Sequence, residues 1–270
     1  YGFGSILIND EAPGLNREHT DPLYGEKANI AILRGFRDIS EQSRVGFFLS
    51  DRELGEGFNR VASVDARLKL NNNWITNMQV VGTDTAALSG GDETTGYQRN
   101  IQINRTGRTV NTHSHFIETT DNFRTDLGFQ NRFFKPDTSG IHNSLNLNFY
   151  PETSNINSWT AGLFDVYLND TDGTRIYHQL GPNLQVNYAT TSFGVRYTDY
   201  AEILRPKDFS GIVTNTRYDY ENWQIDFSNS TSQKATVSAN YRQGRTLNLV
   251  PAPGSLPYVC LLYTSDAADE

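Results

Sequence analysis

Apolar and polar residues alternate over long segments of this chain, and this period of two constrains its fold more than any other feature. From Phe58 to Leu70, one set of alternate positions is mostly apolar and the other mostly polar. Successive side chains of a β-strand point to opposite faces, so the segment predicts a strand with one apolar and one polar face. It is also about twice as long as the roughly 5–6 residues usual in soluble strands.

Segments of the same kind recur from one end of the chain to the other. They are rich in Asn, Thr and aromatic residues and are bounded by clusters of Gly, Asn, Asp and Pro, which favours strands separated by turns. No segment has a convincing amphipathic helical pattern, so the sequence predicts an all-β fold of about 12–13 strands. The predicted strands lie near 1–8, 27–38, 43–51, 57–70, 74–83, 96–105, 108–118, 143–150, 158–168, 174–188, 192–205, 214–228 and 233–243.

The connections between these strands alternate in length. Short ones such as Asn71–Asn73 take turns with long ones such as Asn9–Glu26 and Thr119–His142. Two connections on the long side, Arg52–Glu56 and Asn169–Gly173, are shorter than the alternation requires. Short turns at one edge and longer loops at the other indicate an antiparallel up-and-down sheet, in which each strand pairs with its neighbours in sequence.

A sheet of this kind could cross a membrane, whereas no apolar run is long enough for a helical span. About 9–11 tilted strand residues cross the hydrocarbon layer, and in lipid the backbone hydrogen bonds of the sheet must close on themselves. The sequence therefore predicts an antiparallel up-and-down transmembrane β-barrel, incomplete because this chain is expected to be a fragment. A large soluble β-sandwich that covers each apolar face with a second sheet is the alternative.

The barrel hypothesis assigns a side to each residue, because a Lys or Arg that faces lipid at the membrane midplane costs about 2–4 kcal/mol. Polar and charged residues of the strands must then face the lumen. The predicted lumen-lining residues are Asn59, Ser63, Asp65, Arg67, Lys69, Asn77 and Gln79. The predicted lipid-facing residues are Val64, Ala66, Leu68 and Leu70.

Aromatic residues lie close to the short turns. Trp74 follows one, and Tyr150 and Tyr188 precede two others, as in an interfacial aromatic girdle. Ordinary cross-strand packing of aromatic rings would explain the same positions. In segment 158–168, Trp159 shares a face with Asp165, so either Trp159 faces inward or a bulge intervenes.

The net charge and the two ends of the chain carry separate expectations. A formal net charge of -8 argues against a nucleic-acid partner. The chain begins at Tyr1 without an initiator Met or a signal sequence, so it is expected to be a fragment of an exported protein. Residues 260–270, which include the sole cysteine, resemble a translated sequencing-adapter tail. The predicted domain organisation is a single barrel domain over 1–259 followed by an artefactual tail over 260–270.

Several short motifs resemble those of domain-of-unknown-function family 5916. They are Leu33–Asp38, Ser43–Phe48, Asn59 through Asp65–Leu68, and Phe123–Phe129 followed by Arg132. This resemblance implies an outer-membrane β-barrel domain that usually follows an exported module similar to carbohydrate-binding module family 9. The module would be missing from this chain, and further barrel strands would follow it. The family supplies no catalytic residues.

The search for reactive groups gives weak candidates. His113 and His115 lie two apart on a predicted strand and could share a metal ion with Glu118, but polar residues facing a lumen would look the same. Asn169–Gly173 has oxygen ligands at alternate positions, as in a calcium loop, yet an Asp-Gly hairpin turn explains it more simply. Asp121, Asp126 and Asp137 lie in one long loop. We predict no catalytic residue, no metal site and no cofactor.

The sequence thus predicts a non-enzymatic protein in the outer membrane of a Gram-negative bacterium, acting as a pore for solutes or as a surface-display barrel. Its expected partners are outer-membrane lipid, small solutes or saccharides, and a periplasmic module preceding the fragment, with no nucleic acid. The alternative is an exported glycan-binding or glycan-hydrolysing β-protein. Acids that converge in an aromatic-lined cleft would favour this second hypothesis.

Overall fold

A computed structural model describes most of the chain. The described residues are 1–87, 92–128, 137–152, 155–209, 211–232, 235–249 and 256–269. Gly90 and Gly91 of one predicted loop lie outside them, as do Phe129 and Arg132 of the family resemblance.

The described residues form one sheet of fourteen strands in which each strand is hydrogen-bonded to its neighbours in sequence. The first seven strands are β1 Gly2–Asp10, β2 Ala28–Ser40, β3 Ser43–Leu54, β4 Gly57–Lys69, β5 Trp74–Ala86, β6 Thr94–Arg105 and β7 Val110–Thr119. The other seven are β8 Thr138–Phe149, β9 Ile156–Asp170, β10 Arg175–Tyr188, β11 Thr191–Leu204, β12 Thr216–Ser232, β13 Ala235–Asn248 and β14 Tyr258–Asp269.

The prediction of an all-β, antiparallel, up-and-down fold is confirmed. Pairing is antiparallel throughout β1–β5 and β9–β14. The strand number is fourteen rather than 12–13, because Tyr258–Asp269 pairs with β13. That strand includes most of the segment expected to derive from an adapter, and this expectation about its origin stays a prediction, as does the single domain over 1–259.

One short helix was not predicted. It is α1, Ala12–Leu15, in the long connection between β1 and β2, and Pro13 lies in its first turn, where the fixed φ of proline favours helix initiation. No helix among the described residues is long and apolar enough to cross a membrane.

The chain divides into two compact units. The first unit contains Tyr1–Asn104 and His115–Gly140, and the second contains Arg105–Ser114 and Ile141–Glu270. Each has a small apolar core. In the first unit Val61, Val81 and Phe123 are buried together, and in the second unit Leu204 and Tyr220 belong to the corresponding cluster.

The turns at the short-connection edge are built by local side-chain hydrogen bonds. Asn71 is the clearest case, since its Oδ1 accepts hydrogen bonds from the backbone N–H groups of Asn73, at 2.9 Å, and Trp74, at 3.1 Å. An Asn side chain that caps its own turn in this way favours reversal of the chain. The predicted short turn between β4 and β5 is therefore specified by a single residue.

Candidate functional site

The strands of the first unit have one buried and one exposed face. The registers of β2–β5 place Arg34, Phe48, Ser63 and Val81 side by side in one row. We call the face that carries this row the covered face. The next row along, Leu33, Leu49, Ala62 and Gly82, lies on the opposite face, which we call the open face.

The exposure of β4 alternates as the sequence predicts over the half of the strand that begins at Asn59. Asn59 is 1% exposed and Ser63 is 6% exposed, whereas Val64 on the open face is 61% exposed. The covered face is buried because another part of the same unit lies on it.

That part is the connection that follows β7, of which Thr120–Gly128 is described. We call Thr120–Gly128 the covering segment. The Thr120 N–H donates to the Tyr97 carbonyl at 3.0 Å, and the Tyr97 N–H donates to Thr120 Oγ1 at 2.8 Å. These bonds turn the chain back over the sheet as soon as β7 ends. The long-connection edge therefore sends a segment across the covered face, which the alternation of loop lengths did not predict.

Asn59 holds the covering segment through both ends of its amide. Its Nδ2 donates to the Arg124 carbonyl at 2.9 Å and to Thr85 Oγ1 at 2.8 Å. Its Oδ1 accepts a hydrogen bond from the Asp126 N–H at 3.0 Å. A buried amide that satisfies two backbone groups of a loop acts as a clamp, because losing it would leave those groups unpaired.

Phe123 anchors the same segment by packing. Its ring is buried against Val61 and Val81, with Phe48 beside it. Its backbone also lies so close to Gly96 that a Cβ at Gly96 would come within 2.4 Å of the Phe123 nitrogen. Glycine is therefore required at position 96 for the close approach of the segment to β6.

Charged groups around the covering segment are paired. Arg52 donates from its guanidinium to Asp126 Oδ2 at 3.1 Å, and Arg124 Nε donates to Asp126 Oδ1 at 2.6 Å. Asp126 was one of three loop acids considered for hydrolysis, and in the structure its carboxylate accepts hydrogen bonds from these two arginines. Asp121 is exposed and Asp137 is buried, with a positive φ of 65°.

A cavity of about 280 Å³ lies between the covering segment and the covered face. Its apolar walls include Phe48, Val81 and Phe123. Its polar lining consists of Ser50, Ser63, Gln79, Gln98, Thr119 and Thr125. In the part of the chain that the structure describes, all lining side chains are uncharged, and they offer hydroxyl, amide and apolar groups to a molecule in the cavity.

Other predicted lumen-lining residues occupy the same face further along the strands. Asp65 is half-buried and its carboxylate accepts two hydrogen bonds from the Arg34 guanidinium, of which the Nη2–Oδ2 bond is 2.9 Å long. Gln79 lies opposite Asp65 in the register and is half-buried. Asn77 is half-buried and lies opposite Arg67, which is exposed.

Lys69 and the predicted lipid-facing residues extend to the short-turn edge. Lys69 is half-buried at the end of β4, and its backbone N–H donates to Ser43 Oγ at 3.0 Å. Ala66 and Leu68 are half-buried, while Leu70 is exposed just beyond β4. The exposed apolar residues around Val64 on the open face include Phe47, Leu49, Met78 and Val80.

The predicted girdle residues lie at the short-turn edge. Trp74 is half-buried at the start of β5. Tyr150 is exposed, with the Arg108 guanidinium 5.1 Å from its ring centroid, and the Tyr188 hydroxyl accepts a hydrogen bond from Asn155 Nδ2 at 3.2 Å. These contacts neither require nor exclude a membrane interface, so the girdle stays a prediction.

Two aromatic pairs of the second unit were not predicted. Tyr197 and Trp223 pack with ring centroids 4.8 Å apart, and Tyr167 stacks on His178 at 4.8 Å. These pairs depend on strand register, which places Tyr197 opposite Trp223 and Tyr167 opposite His178. The period of the sequence alone does not give that register.

The conflict between Trp159 and Asp165 is resolved without a bulge. Pairing of β9 with β10 is continuous from Ser158 to Leu168. A bulge between Trp159 and Asp165 is therefore wrong, whereas the alternative that Trp159 faces inward stays a prediction. The Trp159 ring stacks on that of the exposed Phe149, with centroids 3.9 Å apart. Asp165 shares its face and accepts a hydrogen bond from Asn143 Nδ2 at 3.0 Å, which compensates the carboxylate there.

Two histidines of the second unit could hold a metal ion. The Nε2 atoms of His113 and His142 lie 2.8 Å apart, and their rings stack at 4.8 Å. The sequence found His113 but missed His142, because the two meet across β7 and β8 and are far apart in the chain. His115 of the first unit has its Nε2 2.9 Å from Asn100 Oδ1.

The Asn169–Gly173 turn carries an ion cluster rather than free oxygen ligands. Arg205, only 2% exposed, contacts Asp170 at 3.0 Å and Asp208 at 2.6 Å, and Lys207 reaches Asp170 at 3.2 Å. Burial alone would lower the pKa of Arg205, but its hydrogen bonds to Asp208 and Asp170 raise it above the ordinary value. The calcium-loop hypothesis therefore gains no support, since the Asp170 carboxylate is already paired with two cationic side chains.

The chain was compared with protein families, curated proteins and solved structures. No protein-family model matches the chain, and no curated protein matches it. Among solved structures, the chain is similar to the crystal structure of Pseudomonas aeruginosa OpdQ, with a TM-score of 0.46, 10% sequence identity and coverage of 90% of this chain and 88% of that one.

Proposed function

We propose that the chain forms part of the wall of a β-barrel in the outer membrane of a Gram-negative bacterium and lets small solutes pass. The observation that carries this proposal is the division of the first unit into two faces. The open face exposes Leu49, Val64 and Val80, while the covered face holds polar residues and the Arg34–Asp65 ion pair.

An exposed aliphatic row is costly in water. Full burial of a Val or Leu side chain is worth about 1.5–3 kcal/mol, and several such residues lie together on the open face. Acyl chains of a bilayer would cover them at no cost in backbone hydrogen bonds, because the strands pair with one another. The strands of 12–13 residues in β2–β5 also exceed the roughly 9–11 residues that a membrane-crossing strand needs.

The second unit supports the same proposal independently. Leu163, Leu184, Phe193 and Ile225 are exposed on its strands, on the face that also carries the aromatic pair Tyr197–Trp223. An apolar band on the outward-facing side of the strands is typical of transmembrane barrels. The soluble β-sandwich would instead need a second sheet over these residues.

Passage of solutes follows from the polar character of the covered face. In a barrel this face would line the lumen, and the covering segment would narrow the passage beside it. We propose no catalytic role, since Asp126 is engaged by two arginines. A display role for a periplasmic module, which the family resemblance implies, remains compatible with the same wall.

Reconstitution tests the proposal. The chain, refolded into detergent and inserted into liposomes, is expected to show heat-modifiable migration on gels and to make the liposomes permeable to small solutes. A monomer that stays soluble in buffer without detergent would refute the membrane assignment. Insertion into liposomes without any permeation would leave the barrel assignment standing and refute the passage of solutes.

A further inference from the structure

We propose that the cavity beneath the covering segment is a binding site for a small uncharged polyhydroxylated solute, of monosaccharide size. This rests on the proposed function, since it names the class of solute that the passage would favour. The cavity lies within the first unit, between the covering segment and the covered face.

The size of the cavity sets the first limit on its occupant. Its volume of about 280 Å³ is slightly below the roughly 300–1,000 Å³ of sites for drug-sized ligands. A single sugar ring or a short polyol fits this space, whereas an oligosaccharide does not.

The charge of the lining sets the second limit. Every lining side chain among the described residues is uncharged, and two nearby carboxylates are already paired, Asp65 with Arg34 and Asp126 with Arg52. A charged solute would have to shed water without gaining an opposite charge, which is strongly unfavourable. The site therefore selects neutral molecules.

Ser63 offers a hydrogen-bonding group that a polar occupant can use. Its side chain is 6% exposed and lines the cavity, yet its Oγ has no hydrogen-bond partner among the described residues. A buried hydroxyl without a partner costs free energy, so natural proteins rarely keep one without a use. A hydroxyl group of a solute would supply the missing partner, and an apolar molecule would not.

The aromatic walls complete the match. Phe48 and Phe123 border the cavity on the side of the sheet and of the segment. The C–H face of a sugar ring is apolar and packs against such rings, while its hydroxyl groups reach Ser63 and the Gln79 amide. A polyol is the class of neutral solute that offers both kinds of surface at once.

Binding can be measured separately from passage. The full chain in detergent micelles is titrated calorimetrically with a panel of neutral hexoses and pentoses, and with gluconate and glucosamine as charged counterparts. At least one neutral sugar is expected to bind, and neither charged analogue. Ser63→Ala should weaken that binding about three- to tenfold, which is the range for one lost hydrogen bond. Ser144→Ala, on β8 in the second unit, is the matched control and should leave it unchanged.

Ser63→Ala removes an unpartnered hydroxyl, so it should fold at least as well as the parent chain, and loss of binding cannot be ascribed to misfolding. No binding by any neutral sugar, equal binding of the charged analogues, or indifference to Ser63→Ala would each overturn the proposal. Liposome permeation without sugar binding would leave the proposed function standing and remove only this site. Sugar binding without permeation would leave this site standing and refute the proposed passage of solutes.

Discussion

The backbone N–H of Asp126 donates to the side-chain amide oxygen of Asn59 at 3.0 Å, across 67 residues of sequence. The same amide donates to the carbonyl of Arg124. One strand residue therefore holds two backbone groups of the segment that covers the cavity. The clamp is the structural feature on which the candidate site depends.

Asn59→Ala is expected to free the covering segment while leaving the sheet intact. The change leaves the Asp126 N–H and the Arg124 carbonyl without their partner, which costs about 1–3 kcal/mol per buried group. Hydrogen–deuterium exchange should rise over residues 120–128. Asn77→Ala, the same change at a half-buried position of the same face, should not raise it. Equal exchange in the two variants would contradict the clamp.

Gly96→Ala tests the close approach of the segment to β6. The new Cβ would lie 2.4 Å from the backbone nitrogen of Phe123, a distance that no packed structure tolerates, so the segment must shift. Faster protease cleavage near Phe123 is the expected outcome. Gly82→Ala provides the control, because its nearest neighbour would be the Ala62 carbonyl oxygen at 4.0 Å. Resistance to cleavage in both variants would mean that the segment does not lie against Gly96.

The sequence predicted much of the sheet because the information is local. The alternation at Phe58–Leu70 specified the strand, and it also placed Asn59 and Ser63 together on one face, opposite Val64. Pairing of neighbouring strands followed from the short connections, since a turn such as Asn71–Asn73 leaves little choice of partner. None of these steps required knowledge of distant residues.

The candidate site could not be predicted because its contacts are distant in sequence. Nothing in the composition of residues 119–142 says that the connection turns back over the sheet. Only the pairing of Thr120 with Tyr97 and the clamp at Asn59 reveal this. The Arg34–Asp65 pair likewise depends on strand register, and so does the contact of His113 with His142.

The two-face arrangement predicts opposite outcomes for a lysine at neighbouring strands. Val64→Lys puts a charge on the open face, and if that face meets lipid near the midplane, the change costs about 2–4 kcal/mol of folding stability in a bilayer. Asn77→Lys puts the same charge on the covered face, at a half-buried position outside the cavity, and should be tolerated. Folding into vesicles, followed by the gel shift of the folded form, measures both. Equal yields of the two variants would argue against lipid on the open face.

A pH effect is expected in the connection between β1 and β2, outside the strands. The Leu23 backbone N–H donates to Asp21 Oδ1 at 2.8 Å and Arg17 donates to Oδ2 at 2.7 Å, and together they lower the pKa of Asp21 below its usual value. A group whose pKa is lower in the folded state stabilises the fold above its unfolded pKa of about 3.9, and that contribution is lost as the pH falls through the folded value.

Acidification below about pH 4 should therefore loosen this connection before the strands respond. Hydrogen exchange or a carbon-13 label on the Asp21 carboxyl measures the transition. In Asp21→Asn, which cannot ionise, the amides of residues 17–24 should exchange equally at pH 3 and pH 6 once intrinsic rates are corrected. If this variant instead kept the pH dependence of the parent chain, another acid would control the connection.

Arg205 is expected to be the most sensitive charged residue of the second unit. It is buried between Asp170 and Asp208, so Arg205→Met would take away the guanidinium that pairs with both of these partly buried carboxylates. Breaking a buried pair by removing one partner costs about 3–5 kcal/mol. The expected result is a lower midpoint of urea-induced unfolding.

Arg217→Met is the control. It removes an exposed cation that contacts Asp219 at 2.8 Å and should change the midpoint little, because exposed pairs contribute about 0–1 kcal/mol. If the two variants unfold at the same urea concentration, the Arg205 cluster does not stabilise the connections between the strands.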